Sequence, residues 1–139
     1  MNDKQVFVDT NILVYALDKQ AGRKHQIAGE KILQLWDSTI CPAISIQVLQ
    51  ELYVNLVKKG VSDASARKVV EDYLEWNVVV NDEDLLLDGM RIKERYKMSF
   101  WDSLIIAAAQ SAGAAIIWSE DLQDGQMYDG VIVCNPLRV

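Results

Sequence analysis

Four acidic residues stand out in this 139-residue sequence because of where they fall in its hydrophobic pattern. Asp9 ends the first apolar run, Asp121 closely follows a later one, Asp102 lies inside an apolar helical segment, and Glu51 borders the apolar stripe of another helix. Carboxylates that gather in one site repel one another and are hard to justify structurally without a cation. The positions of these four residues therefore suggest a cation-dependent site.

Asp9 and Asp121 both come at or just past the carboxyl end of a predicted strand. In open α/β sheets, ligands collect beyond the carboxyl ends of the strands, so both side chains are expected in the site region. Each residue also has a structural interpretation. Asp9 could cap the helix that follows it, and Asp121 could be a turn residue in its loop.

Asp102 falls between Ile105 and Ile106 when its helix is projected at about 100° per residue. A carboxylate inside an apolar arc is costly unless it is paired or bound to a metal. The competing interpretation is a capping box formed by Ser99 and Asp102, and the two roles can coexist. Glu51, taken alone, is interpreted as a solvated residue at the edge of its helix.

The ligand types in the sequence favour oxygen coordination. There is one histidine, His25, next to Arg23 and Lys24, and we expect it on the solvated surface. The two cysteines, Cys41 and Cys134, have no zinc-like spacing and lie in short apolar segments, which predicts buried free thiols. Clustered carboxylates without such ligands indicate Mg²⁺ or Mn²⁺ and not zinc.

Strand-like and helix-like segments alternate along the whole chain. The predicted strands are Gln5–Asp9, Thr39–Ala43, Asn77–Val80, Ala115–Trp118 and Val131–Cys134. The predicted helices are Asn11–Leu17, Gly22–Trp36, Ser45–Lys59, Asp63–Glu75 after a Ser62 cap, Asp82–Lys97 and Phe100–Ala112, and residues 119–130 are a predicted polar loop. This alternation predicts a single α/β domain over residues 1–139, with a central parallel β-sheet flanked by α-helices on both faces.

Composition excludes some classes of protein. Half of the residues are hydrophobic and 24% are charged, as in an ordinary soluble globular domain. A net charge of −6 argues against a protein that coats nucleic acid by bulk positive charge. No apolar run approaches the ~18 residues of a membrane helix and no secretory signal is evident, so we expect a cytoplasmic protein without a membrane partner.

Several short motifs, in order, resemble those of the PIN-domain family. They are Val8-Asp9-Thr10-Asn11, Glu51 in a helix some forty residues later, Trp101-Asp102-Ser103-Leu104-Ile105, Ser119-Glu120-Asp121-Leu122, and Asn135-Pro136 after the last strand. The resemblance covers essentially the whole chain. It implies the PIN-like fold, in agreement with the strand–helix alternation.

The resemblance also implies an activity, which is metal-dependent endonucleolytic cleavage of RNA. Asp9, Glu51, Asp102 and Asp121 would be the catalytic, metal-binding quartet. Thr10, Asn11 and Ser119 would be supporting polar residues. The fourth motif departs from the common pattern, because Ser119 stands where threonine is frequent and Asp124 is a nearby rival acid. Small bacterial members are commonly the toxin of a VapBC-type toxin–antitoxin pair, which implies an antitoxin protein as partner.

Two further predictions concern RNA and self-association. Contacts to the RNA backbone would come from local basic residues, namely Lys58, Lys59, Arg67, Lys68, Arg91, Lys93, Arg95 and Lys97, although ordinary solvated helix surface explains them equally well. A homodimer is usual for such toxins. An excess of aromatic side chains over the needs of one small core also suggests it, including Trp36, Tyr53, Tyr73 and Trp76.

Two other functions are compatible with parts of the sequence. An aspartyl phosphotransferase would use Asp9 as its nucleophile, but such enzymes want a second Asp where Asn11 stands, and no catalytic Lys is obvious. A non-catalytic PIN-like module would bind RNA or protein without cutting, and the intact acids argue against it.

Overall fold

The computed structural model describes residues 5–138, which fold around a six-stranded sheet in the order β3-β2-β1-β4-β6-β5. The strands are β1 (Val6–Val8), β2 (Ala43–Ser45), β3 (Asn77–Val79), β4 (Ile116–Trp118), β5 (Met127–Tyr128) and β6 (Val131–Cys134). All neighbouring strands are parallel except β5 and β6. Since β1 lies between β2 and β4, the residue that follows it is at the centre of the carboxyl edge.

Helices flank this sheet, and the predicted α/β architecture is confirmed. They are α1 (Thr10–Leu17), α2 (Arg23–Trp36), α3 (Ile46–Lys58), α4 (Asp63–Tyr73), α5 (Glu83–Tyr96) and α6 (Phe100–Ser111), with a short 3₁₀ turn at Lys19–Ala21. Among residues 5–138, no helix is long and apolar enough to cross a membrane.

The core forms where β1 meets the helices. Every residue of β1 is buried, and Phe7 has no exposed surface. Ile106 of α6 and Ile117 of β4 are equally inaccessible. Helix α6 is buried over seven successive residues, from Ser103 to Ala109, which explains why its sequence is apolar nearly all round.

Two strand predictions were wrong. The second strand is not Thr39–Ala43 but begins at Ala43, where it pairs with Phe7 and Asn77. Pro42 cannot donate a ladder hydrogen bond, and it contributes only its carbonyl, which accepts from the N–H of Asn77 at 3.0 Å.

The segment predicted as a polar loop, residues 119–130, contains strand β5. It is joined to β6 by Asp129 and Gly130, both with positive φ (48° and 91°). An Asp-Gly pair between two apolar runs is typical of a tight β-hairpin, so the sequence held a signal for this strand.

The predicted burial of the cysteines was also wrong, because both thiols are exposed. Residues of β6 alternate between buried and exposed, which places Cys134 on the outward side of this strand. His25 is half-buried rather than fully solvated, and its Nδ1 lies 3.0 Å from the carbonyl oxygen of Tyr15.

Candidate active site

Asp9 follows β1 directly and is only 7% exposed. It caps α1, as one of its sequence interpretations predicted, by accepting a hydrogen bond from the N–H of Thr10 at 2.8 Å. Its other carboxylate oxygen accepts from the hydroxyl of Ser119 at 2.8 Å. The structural and the functional interpretations of Asp9 are therefore compatible, because the cap holds a buried carboxylate at the carboxyl edge of the sheet.

Ser119 fixes the loop that follows β4 against Asp9. Its buried Oγ accepts from the backbone N–H groups of Asp121 and Leu122, each at 3.2 Å. With both lone pairs occupied, the hydroxyl proton is left for Asp9. Ser119 therefore positions two of the predicted acids, Asp9 and Asp121, relative to each other.

Glu51 reaches the same region from α3. Its Oε1 accepts from the hydroxyl of Thr10 at 2.6 Å. Its Oε2 accepts from the amide of Gln47 at 3.4 Å, and the same amide donates to the carbonyl of Trp101 at 3.3 Å. Glu51 is thus not a freely solvated edge residue but is held by hydrogen bonds from Thr10 on α1 and from Gln47 on its own helix.

Asp121 is held by Asn11. The Asn11 amide donates to Asp121 Oδ2 at 2.9 Å, and its oxygen accepts from the N–H of Glu120 at 3.1 Å. Glu120 in turn accepts from Tyr15 Oη at 2.6 Å and pairs with Lys24 at 2.7 Å. Two consecutive residues of the loop after β4, Glu120 and Asp121, are therefore anchored to the first two helices.

The three acids influence one another electrostatically. Burial raises the pKa of Asp9 from 3.8 to about 6. The hydrogen bonds from Ser119 and Thr10 lower it, and the negative charges of Glu51 and Asp121 raise it further. Asp9, Glu51 and Asp121 are therefore close enough for their charges to be coupled.

A cavity of about 470 Å³ opens beside Glu51 and Asp121. Its walls include Thr10, Asn11, Glu51, Asp121 and Lys59. Lys59 pairs with Asp18 at 3.1 Å and forms no ion pair with the acids themselves. The hydrogen-bonded contacts to the three carboxylates, within the described chain, are all made by uncharged groups.

Asp102 lies in the first turn of α6 and is half-buried. Its N–H donates to Ser99 Oγ at 3.1 Å, so half of the predicted capping box is present. Its carboxylate forms no hydrogen bond with any residue between 5 and 138. Its connection to the other acids runs through the backbone of Trp101, whose carbonyl is held by Gln47. No three Asp, Glu, His or Cys side chains in the described part of the chain are close enough together to form a metal site.

Asp124, the rival fourth acid, has a different role. Its Oδ1 accepts from the N–H of Asn135 at 2.9 Å, and its Oδ2 pairs with Arg138 at 3.3 Å. Asp124 therefore anchors the segment after β6. Of the two candidates, the structure brings Asp121 and not Asp124 to the other acids.

Most of the predicted RNA-contacting residues lie away from this cavity. Of the eight, Lys59 alone is among the residues lining it. Four are paired with acids on exposed helix surface, in the pairs Arg67–Glu71, Lys68–Asp72, Arg91–Asp88 and Arg95–Asp129. Lys58, Lys93 and Lys97 form no ion pair within residues 5–138. The interpretation as ordinary solvated surface fits the four paired residues best.

Gln47 is the residue of this site that sequence reasoning missed. It is 6% exposed and lies one helical turn before Glu51. The signal in the sequence was a polar side chain directly before Val48 and Leu49. All three residues are buried in α3, where apolar side chains are expected.

The fold and this site together define an α/β domain with acidic residues at the carboxyl edge of its sheet, the edge where open α/β sheets bind their ligands. The chain belongs to the PIN domain family, and the sequence model of this family matches residues 6–124.

Several solved structures share this fold. The chain is similar to a toxin–antitoxin complex from Klebsiella pneumoniae, with 23% identity, a TM-score of 0.70, and coverage of 95% of this chain and 98% of that one. It is similar to VapC20 of Mycobacterium tuberculosis, described as a sarcin–ricin-loop-cleaving toxin (22% identity, TM-score 0.67, coverage 84% and 92%). It is also similar to VapBC2 of Rickettsia felis bound to promoter DNA (19%, 0.65, 92% and 96%). No curated protein sequence matches this chain.

Proposed function

We propose that this protein is a Mg²⁺- or Mn²⁺-dependent endoribonuclease that hydrolyses RNA phosphodiester bonds. One observation carries the proposal. Asp9, Glu51 and Asp121 come from three separate parts of a PIN domain and are held together by the uncharged side chains of Thr10, Asn11 and Ser119. Neighbouring carboxylates whose hydrogen-bond partners among residues 5–138 are all uncharged are balanced best by a bound cation, and the side chains would have to move closer together to share one.

The donor chemistry of these residues fits a hard divalent cation. The three acids offer only oxygen atoms, and the single histidine is engaged with Tyr15 elsewhere. Asp9 and Asp102 would be the main ligands, with Glu51 and Asp121 as further ligands. When bound, the cation would bind the scissile phosphate, lower the pKa of an attacking water and stabilise charge in the transition state.

The residues of the chain contribute positioning. Ser119 and the Thr10 N–H keep the Asp9 carboxylate aimed from the sheet edge, and Asn11 keeps Asp121 beside it. Lys59, on the cavity wall, would contact a substrate phosphate after leaving Asp18. These contacts hold the reacting groups in place, which lowers the entropic part of the barrier.

Within this function, we place the protein as the toxin of a VapBC-type pair in the cytoplasm, with a small antitoxin as its partner. The support is the shared fold with VapC20 and with toxin–antitoxin complexes from two bacteria. A neighbouring reading frame that encodes a small protein able to bind this chain and stop its activity would support the assignment.

The test is cleavage of single-stranded RNA by the purified protein. We expect cleavage with Mg²⁺ or Mn²⁺ and none with EDTA. Asp9→Asn and Asp102→Asn should each lower the rate by at least about a hundredfold, as expected for loss of a group that acts in the transition state. Asp124→Asn removes an equal charge from an acid outside the site and should retain activity.

Full activity in either Asp9→Asn or Asp102→Asn would refute the assignment of that residue. A wild-type protein that binds RNA and never cuts it, with any of these metals, would instead indicate the non-catalytic binding module.

A further inference from the structure

Trp101 is unusually exposed for a residue of its type. It lies in the first turn of α6, next to Asp102, and 63% of its surface is accessible. Leaving so large an apolar side chain in water forgoes the stabilisation that its burial would give. The ring of Phe100 packs against it edge-on, with centroids 5.1 Å apart, so part of the indole is supported from one side.

The indole forms part of the wall of a mainly apolar groove of about 770 Å³. The other apolar wall residues come from four elements or their ends, and they are Ile46, Val80, Leu86, Phe100 and Leu104. Contiguous exposed apolar surface of this kind marks a binding site more often than an isolated exposed residue does.

Gln47 connects this groove to the acidic site. It lines the groove, and its amide donates both to the Trp101 carbonyl and to Glu51 Oε2. Both of these partners are acceptors, so they fix the amide with its nitrogen towards them and its Oε1 away from them. The groove and the cavity beside the acids are therefore adjacent, and the hydrogen bond between Gln47 and Glu51 joins their walls.

The Oε1 of Gln47 is buried and has no hydrogen-bond donor among residues 5–138. A buried acceptor without a donor is costly, because it has lost its hydrogen bonds to water and gained none in the protein. Native structures keep such atoms mostly where a ligand, water or ion supplies the missing bond. An N–H group bound in the groove would supply it once the amide turns, which gives up the two long contacts of 3.3 and 3.4 Å.

We propose that this groove binds a nucleobase of the RNA substrate, stacked on Trp101, beside the phosphate that is cleaved. The proposal rests on the nuclease function proposed above. A base offers an aromatic face for the indole and N–H donors for Gln47. The acidic Asp82 and Glu83 on the groove wall disfavour phosphates there, so the base enters the groove. The backbone stays on the side of Lys59 and of the cation that the site acids would hold.

The test is RNA affinity in the cleavage-deficient Asp9→Asn background with Mg²⁺, measured by fluorescence anisotropy of a labelled single-stranded RNA of mixed sequence. Trp101→Ala should weaken binding by about five- to a hundredfold, as expected for loss of one stacked base. Trp101→Phe keeps an aromatic face and should retain most of the affinity. Leu33→Ala removes apolar surface of equal 63% exposure from α2 and should leave the affinity unchanged.

A substrate series then locates the base. Single nucleotides of the RNA are replaced in turn by abasic ones. At one position the missing base should weaken binding to the Asp9→Asn protein but cause no further loss of affinity in the double variant that also carries Trp101→Ala. In the active protein, Trp101→Ala should raise KM, and Trp101→Phe should restore it.

The outcomes separate this proposal from the proposed function. If Trp101→Ala binds RNA as tightly as its parent while the wild type still cleaves, the groove proposal is wrong and the nuclease stands. If Trp101→Ala changes the mass of the particle in solution, the groove is a contact between copies and the proposal is wrong. If the wild type neither binds nor cuts RNA, both proposals fail together.

Discussion

At the scale of single residues, the site depends on how one buried carboxylate is held. Asp9 is surrounded by protein on almost every side and still receives two hydrogen bonds, from Ser119 and from the backbone of Thr10. Those bonds favour the charged form, while burial and the neighbouring acids oppose it. Burial has the largest effect, and Asp9 keeps a pKa far above that of a solvated aspartate.

This balance predicts the pH dependence of the metal-free protein. The pKa of Asp9 is about 6 in the folded state and 3.8 as a free residue, so between these values the folded state binds the extra proton. Stability contributed by Asp9 is therefore present below about pH 4, falls as the pH rises, and is lost above about pH 6, a change on the order of 3 kcal/mol.

Urea unfolding in EDTA at pH 4.5 and at pH 7 measures this change. Wild type should lose more stability than Asp9→Asn does across this interval. The comparison uses the difference between two pH values, so the intrinsic stability of the variant cancels. Parallel behaviour of the two proteins would show that Asp9 is not the titrating group.

At the scale of elements, close packing of α5 on α6 carries Asp102 and Trp101 to the edge of the sheet. Gly89 is buried in α5 where it faces Leu104 of α6. A Cβ added at this position would lie 2.6 Å from Leu104 Cδ2, which is too close for two non-bonded carbon atoms. Glycine is therefore needed here for the approach of two helices and not for an unusual backbone conformation.

A matched pair of substitutions tests this packing. Gly89→Ala should destabilise the protein by about 1–3 kcal/mol, because the Leu104 side chain must leave its present position to make room for the added methyl group. Gly29→Ala in α2 meets nothing within 4 Å and should stabilise it by up to about 1 kcal/mol through helix propensity. Chemical denaturation of both variants gives the comparison. Equal effects of the same sign would mean that helix propensity alone decides both positions.

For the whole molecule, only part of the aromatic excess seen in the sequence lies on the surface, where it could form a contact between two copies. Tyr73 and Trp76 were part of the aromatic excess that suggested a dimer, but both are 5% exposed and pack with Trp36 into one cluster. They serve the core of a single chain. The exposed apolar surface that remains includes Leu87 and Met90 on α5, at 50% and 40%.

We still predict a homodimer, now formed through this face of α5. Light scattering at micromolar concentration should give about twice the 15.7 kDa of one chain. Leu87→Lys places a charge in the proposed contact and should lower the mass to that of one chain. Leu33→Lys, on the exposed surface of α2, serves as the control. A wild-type mass of one chain would contradict the prediction.

The α/β class, most of the elements and the acids worth testing could be predicted from the sequence, because they depend on local periodicity and on residues at strand ends. Asp9 and Asp121 could be assigned to one edge of the sheet, since parallel strands place their carboxyl ends together. The β5 hairpin was missed although its Asp-Gly turn is a local signal, so this error was one of interpretation.

The contacts between residues far apart in the sequence could not be predicted. Three such contacts join side chains that are 14 to 110 positions apart in the sequence, namely Thr10–Glu51, Asn11–Asp121 and Asp124–Arg138. The burial of Gln47 and the exposure of Trp101 and both cysteines also contradict what residue type alone favours. Burial is set by the surfaces that other elements bring to a residue, and no periodicity within one element contains that information.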